Sequence, residues 1–226
     1  MRTGVLFSGG KDSVLALYQA KQFEDVNCLI TIESENPDSF MFHTPNIQLT
    51  KLQSKALGLP LVYVKTKGEK EKELKELENA IRIAKKAYGL DGIVTGAIAS
   101  VYQATRIQRI CNKLKLSCFN PLWLKCQFEI LEELIKLKFK VLITGVFGDG
   151  LQSLIGKQLD NKLLAELRRA NENFRINPAG EGGEFESFVL DMPLFRKKIV
   201  IQKFELLELS EYSRLIEIKR ARLEPK

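Results

Sequence analysis

Histidine is nearly missing: His43 is the only one among 226 residues. Histidine-rich zinc sites are therefore excluded, and Ser-His-Asp catalysis is a poor expectation, because both assign imidazoles defined roles. The four cysteines, Cys28, Cys111, Cys118 and Cys126, form no CxxC pair and lack the dense spacing of a secreted disulfide scaffold. They read as reduced, cytoplasmic thiols. No apolar run approaches the roughly 18 residues that span a bilayer, so no membrane association is expected. The apolar stretch Val5-Leu6-Phe7 is too short for a signal peptide and runs into a Gly-rich turn, so no cleaved leader is expected. With 15 Gly, 7 Pro and no long polar tract, disordered, collagenous and repeat architectures lose support.

What remains is 45% hydrophobic and 28% charged, enough for one large core or two small ones. The net charge of +7 favours an anionic partner, although solvated lysine-rich helices produce the same balance with no partner at all. Apolar, β-branched runs at 3–7, 26–32, 59–64, 92–95 and 117–119 alternate with helical patterns at 12–23, 47–57, 69–88 and 103–114. That alternation predicts α/β architecture, a parallel sheet covered by helices on both faces, with ligands bound beyond the carboxyl ends of the strands. After Pro121 the rhythm changes to a helix at 128–137, a strand at 141–146, a helix at 161–173 and strands at 187–190, 198–205 and 212–221, read as a smaller mixed sheet. The predicted division is 1–121 for the parallel-sheet domain and 122–226 for a smaller mixed α/β domain.

Three segments carry chemistry. Ser8-Gly9-Gly10-Lys11-Asp12-Ser13 sits between the first strand and the first helix. Its glycines let the backbone approach an anion, the helix dipole points at the same place, and the serine hydroxyls add donors, which suits a phosphate chain. GxxxxGK[ST] is absent, so γ-phosphate chemistry of the Walker type is not indicated. Gly96-Ala97-Ile98-Ala99-Ser100-Val101-Tyr102-Gln103 follows the fourth strand and faces the same crevice, with Arg106 and Arg109 on the helix beyond. Small residues there leave room for a nucleotide, and Arg106 is the candidate to reach a phosphate. Gly180-Glu181-Gly182-Gly183-Glu184-Phe185-Glu186-Ser187 gathers three glutamates around a flexible Gly pair, able to bind a cation, hold a metal or deprotonate a nucleophile.

Ser-Gly-Gly-x-Asp-Ser resembles the PP-loop of the ATP pyrophosphatases, which have the adenine nucleotide alpha hydrolase-like fold and cleave ATP between its α and β phosphates. By that resemblance Lys11 neutralises phosphate charge and Asp12 helps hold Mg²⁺. Together with Ser39-Phe40-Met41-Phe42-His43-Thr44-Pro45-Asn46, Pro121-Leu122-Trp123, 156–160 and 191–195, the three segments are similar to one branch of that superfamily, the diphthine-ammonia ligases, with Glu181 to Glu186 the most distinctive block. The chain departs from the family's Arg-x-Arg-Val-Glu pattern at Ala104 and Gln108. The resemblance implies amidation of the diphthine carboxylate on translation elongation factor 2, with ATP and free ammonium, through an acyl-adenylate. It implies Ser8, Gly9, Gly10, Lys11, Asp12, Ser13, Gly96, Ala97, Ile98 and Arg106 as nucleotide-binding residues. Ser100, Tyr102, Gln103, Glu181, Gly182, Gly183 and Glu184 are then the substrate-binding candidates. Lys11, Asp12, Glu184 and Glu186 are the catalytic ones, with either glutamate as base, and Tyr102, Trp123 or Phe185 could meet the quaternary ammonium of diphthine. A homo-oligomer is compatible with the sequence. The alternative is a PP-loop enzyme adenylating a tRNA base, which the charge suits but the cysteine usage does not; a non-enzymatic nucleotide-binding regulator is the third reading.

Overall fold

The computed structural model describes residues 1–36, 46–67 and 72–226. The quoted stretch from Ser39 to Pro45, with His43, lies outside the described residues, as does most of the start of the helix expected from residue 69. Five strands, β1 (Arg2–Leu6), β2 (Asp25–Ser34), β3 (Leu61–Thr66), β4 (Gly92–Val94) and β5 (Ser117–Phe119), form one sheet in the order β3-β2-β1-β4-β5. Every neighbouring pair is parallel, as the near-continuous apolar runs require of strands buried on both faces.

Helices α1 (Lys11–Ala20) and α2 (Thr50–Leu57) pack with Val5, Leu29 and Val94 in one apolar cluster. Helices α3 (Lys72–Tyr88) and α4 (Val101–Lys113) contribute Leu77, Ile81, Ile107 and Cys111 to another, together with Cys28, Ile30 and Ile93. α1 ends at Ala20, short of the expected Phe23, which is 86% exposed and has no apolar surface to follow. α4 starts two residues early because Ser100 caps it, its Oγ accepting from the Gln103 N–H at 3.3 Å.

The remaining chain builds α5 (Gln127–Lys136), β6 (Lys140–Phe147), α6 (Asn161–Phe174), β7 (Phe185–Asp191), β8 (Lys198–Ser210) and β9 (Ser213–Glu224). Its sheet, ordered β7-β6-β9-β8, is antiparallel in every pair, so the mixed strand directions expected from the sequence do not occur. For β8 and β9 the reason is local: only Glu211 and Tyr212 separate them, a link that permits a hairpin and no crossover. β8 also runs five residues beyond its expected end at Glu205, extended by pairing with β9 and not by burial.

The two sheets share one core. Val5, Leu15 and Leu17 belong to the same apolar cluster as Leu131, Val141 and Phe188, with Leu122 fully buried at the crossing. Among the described residues, no helix is long and apolar enough to cross a membrane.

Candidate active site

The strand order reverses between β1 and β4, so the segments leaving their carboxyl ends flank an opening. A cavity of about 880 Å³ occupies it, within the range of small-molecule sites. Leu6, Ile30, Ile32, Leu77 and Ile107 make an apolar side, and three loops make the polar one.

The first loop joins β1 to α1. Gly9 takes the left-handed conformation, φ +81°, and Gly10 the extended one, which turns the strand into the helix within two residues. Ser8 Oγ donates to Ser13 Oγ at 3.1 Å, and Ser13 Oγ donates to the Gly10 carbonyl at 3.1 Å, closing the loop on itself. Ser8, Asp12 and Ser13 face the cavity. One Asp12 oxygen accepts from Lys11 Nζ at 2.9 Å, while the other, Oδ1, is buried with no hydrogen-bond partner among the described residues. A buried, unsatisfied carboxylate oxygen on a cavity wall is a fitting ligand for a hard cation.

The second loop follows β4. A side chain on Gly96 would bring its Cβ within 2.8 Å of the Asp12 carbonyl carbon and the Ser13 nitrogen, so only glycine lets the two loops touch. Gly96, Ala97, Ser100, Tyr102 and Gln103 line the cavity. Arg106 does not: its guanidinium lies 3.4 Å over the Tyr102 ring and Nη1 donates to the Tyr102 carbonyl, so it reaches the wall only through Tyr102. Ile98 is buried in the core.

The third loop leads into β7. Glu181 Oε1 accepts from the backbone N–H of Ala99 (3.1 Å) and Ser100 (3.0 Å), placing a carboxylate at the start of α4 and tying the two halves of the chain together. Glu184 turns inward to its own loop: Oε1 accepts from Asn177 N and Nδ2 at 2.8 and 2.7 Å, and Oε2 from Gly182 N at 2.9 Å. Glu181, Gly182, Gly183 and Glu186 line the cavity, whereas Glu184 does not. Of the two glutamates considered as a base, only Glu186 faces the space where a substrate fits. Burial pushes its carboxyl up to about 7, against the lowering effect of Lys11 and with a raising contribution from Asp12.

Lys11 is 3% exposed, its ammonium 5.2 Å from the Phe185 ring centroid and paired with Asp12. It, Gly9 and Gly10 are not part of the cavity wall. Phe185 is itself core at 4% exposure, which leaves Tyr102 as the aromatic of the three that opens onto the cavity.

Two residues that hold this arrangement were assigned no part from the sequence. Gln53 is fully buried and its amide donates to the carbonyls of Gly9 and Val189. Ser187 Oγ accepts from the Lys11 N–H at 3.2 Å, which satisfies an N-terminal donor of α1. The available signal for Gln53 was its place among Thr50, Ser54 and Leu57 on the buried face of α2.

Residues 1–118 match the family model described as the diphthamide synthase N-terminal domain, and residues 127–223 match that of the diphthamide synthase C-terminal domain. The chain is 31% identical over 235 residues to a diphthine-ammonia ligase of Bos taurus and equally to one of Homo sapiens, covering 91% of this chain and 85% of each relative. A diphthine-ammonia ligase of Schizosaccharomyces pombe is 32% identical over 221 residues, which span 90% of this chain and 36% of that protein.

Proposed function

Since the chain belongs to the diphthamide synthase family, we propose that it catalyses the ATP-dependent amidation of diphthine on translation elongation factor 2, with ammonium as nitrogen source. The observation that carries this reading is one cavity with phosphate-binding loop geometry on one wall and a proton-accepting carboxylate, Glu186, on the other.

A carboxylate is a poor electrophile with no good leaving group. Attack of the diphthine carboxylate oxygen on the α-phosphorus of ATP forms an acyl-adenylate as the bond from the α-phosphorus to the bridging oxygen breaks and pyrophosphate departs. Ammonia then attacks the acyl carbon and AMP leaves. In this mechanism the apolar side around Ile30 and Ile107 takes the adenine, and the triphosphate runs toward Ser8 and Ser13 at the start of α1. Asp12 would hold Mg²⁺ through its unpartnered oxygen. When bound, Mg²⁺ screens the triphosphate so that an anionic nucleophile can approach. Lys11, beside Asp12 and opposing the pKa rise of Glu186, holds the balance of charge between these carboxylates.

Ammonium must lose a proton before it attacks, and Glu186 takes it. Glu184 braces the loop that carries Glu181 to the start of α4, and Tyr102 faces the quaternary ammonium of diphthine. Residues 1–121 then act as the nucleotide-binding unit and 122–226 as the unit that receives the protein substrate, in the cytoplasm.

The test supplies Mg-ATP and ammonium with and without diphthine-bearing elongation factor 2, and follows AMP, pyrophosphate and the mass of the factor. AMP is expected only with the factor, whose mass falls by the difference between OH and NH₂. AMP formed with tRNA instead would reassign the substrate.

A further inference from the structure

We propose that Gln53 is a positioning residue that holds the phosphate-binding loop at a set distance from the strand bearing Glu186, and that ATP binding depends on it. The inference rests on the reading of the Ser8–Ser13 loop as the phosphate site.

Gln53 is 0% exposed, and its Nε2 donates to two carbonyls from opposite halves of the chain, Gly9 at 2.9 Å and Val189 at 2.8 Å. Its Oε1 is buried with no hydrogen-bond partner among the described residues, an arrangement that costs stability and that the two donated bonds offset. Turning the amide over would set Oε1 against both carbonyls. A Cβ on Gly9 would lie 2.3 Å from Oε1, so loop and amide fit only with glycine at φ +81°. Two further bonds join the loop to β7: Val189 N–H to the Gly9 carbonyl at 3.1 Å and Lys11 N–H to Ser187 Oγ at 3.2 Å.

β7 thus fastens the loop at residues 187 and 189 while the residue before them, Glu186, projects onto the cavity. Gln53, reaching in from α2, pins both sides of that junction. Releasing it lets the loop drift relative to the carboxylate wall, so that the serine hydroxyls and the start of α1 no longer converge on the triphosphate and the affinity for ATP falls.

Asn46 provides the control. Its Nδ2 donates to the Ile216 carbonyl at 2.9 Å and its Oδ1 accepts from the Ile218 N–H at 2.7 Å, which pins the segment before α2 to β9 without touching the loop. The experiment compares wild type, Gln53→Leu, Gln53→Glu, Gln53→Asn and Asn46→Asp as full chains. It reads the Mg-ATP dissociation constant by calorimetry, KM for ATP and for ammonium, kcat, and the melting midpoint.

The folded Gln53 variants are expected to raise the Mg-ATP dissociation constant and the KM for ATP by about tenfold, with the KM for ammonium within about twofold. Asn46→Asp is expected to lower the melting midpoint and leave ATP binding unchanged. A folded Gln53→Leu or Gln53→Asn with wild-type ATP affinity overturns the inference. So does a fall in kcat at constant KM, the mark of a smaller folded fraction, or an equal loss of ATP affinity in Asn46→Asp. Wild type that binds no Mg-ATP overturns the phosphate-loop reading as well.

Discussion

The two walls of the cavity are made of different chemistry by different kinds of sheet. The parallel sheet offers strand ends: its loops bring Ser8, Ser13 and the start of α1, hydroxyls and a helix N-terminus suited to phosphate. The antiparallel sheet offers β7 and the loop before it, which bring Glu181 and Glu186. Asp12 is the carboxylate of the first wall, and its Oδ1 is buried with no hydrogen-bond partner among the described residues. Under the proposed function, activation of the carboxylate falls to the first wall and the proton of ammonium to the second, so the two halves are separable by measuring two products.

The sharpest break of that comparison is Asp12→Asn. AMP formation with the full set of substrates should fall by about a thousandfold, as removal of a central electrostatic group does, and a near-wild-type rate would detach Asp12 from the chemistry.

Glu186→Gln should act on the other product. Amide formation is expected to fall about a hundredfold, while the first turnover of pyrophosphate, read by rapid quench without ammonium, persists. In wild type kcat/KM for ammonium should rise as pH passes about 7, where Glu186 gives up its proton, and this inflection should vanish in the variant. Loss of both products together would place Glu186 on the first wall's step.

The same substitution has a stability consequence of opposite sign. The folded-state pKa, about 7, lies above the ordinary 4.5, so the native chain binds this proton more tightly than the unfolded one. Wild type therefore loses stability as pH rises from about 4.5 to 7 and keeps that loss above it. Glu186→Gln should be more stable than wild type at pH 8, by about 3 kcal/mol in denaturant unfolding, and the gain should vanish at pH 4. Equal stability at both values would show that Glu186 is not desolvated.

The smallest effect is expected from Glu184→Gln. Its carboxylate is spent on Asn177 and Gly182, so amide formation should fall about tenfold with ATP binding unchanged, together with faster proteolysis between residues 177 and 184. A loss as large as that of Glu186→Gln would return the role of base to Glu184.

Much of this was legible along the chain. The strand, Gly-Gly turn and helix at 3–20 declare themselves by local rules, a left-handed Gly9 and an apolar stripe through Val14, Leu15 and Leu17. The strand at 92–94 and the small residues after it likewise follow from burial on both faces. The hairpin was less legible because β8 and β9 are largely half-exposed or exposed, so pairing with each other, and not a clean apolar alternation, sets their length. The direction of β9 against β8 depends on one two-residue turn, a signal easily lost among longer patterns.

By itself the sequence determined the class of fold, the strand-to-helix Gly-Gly turn at Ser8 to Ser13 and the concentration of carboxylates at Glu181 to Glu186, because each is a property of neighbouring residues. Only the tertiary structure decided that Glu186 and not Glu184 faces the cavity, that Arg106 stacks on Tyr102, and that Gln53 joins Gly9 to Val189. Burial, charge neighbours and hydrogen-bond partners come from residues far apart in the chain. A glutamate's surroundings, which set its pKa and its reach, exist only once Lys11 and Asp12 have been folded against β7.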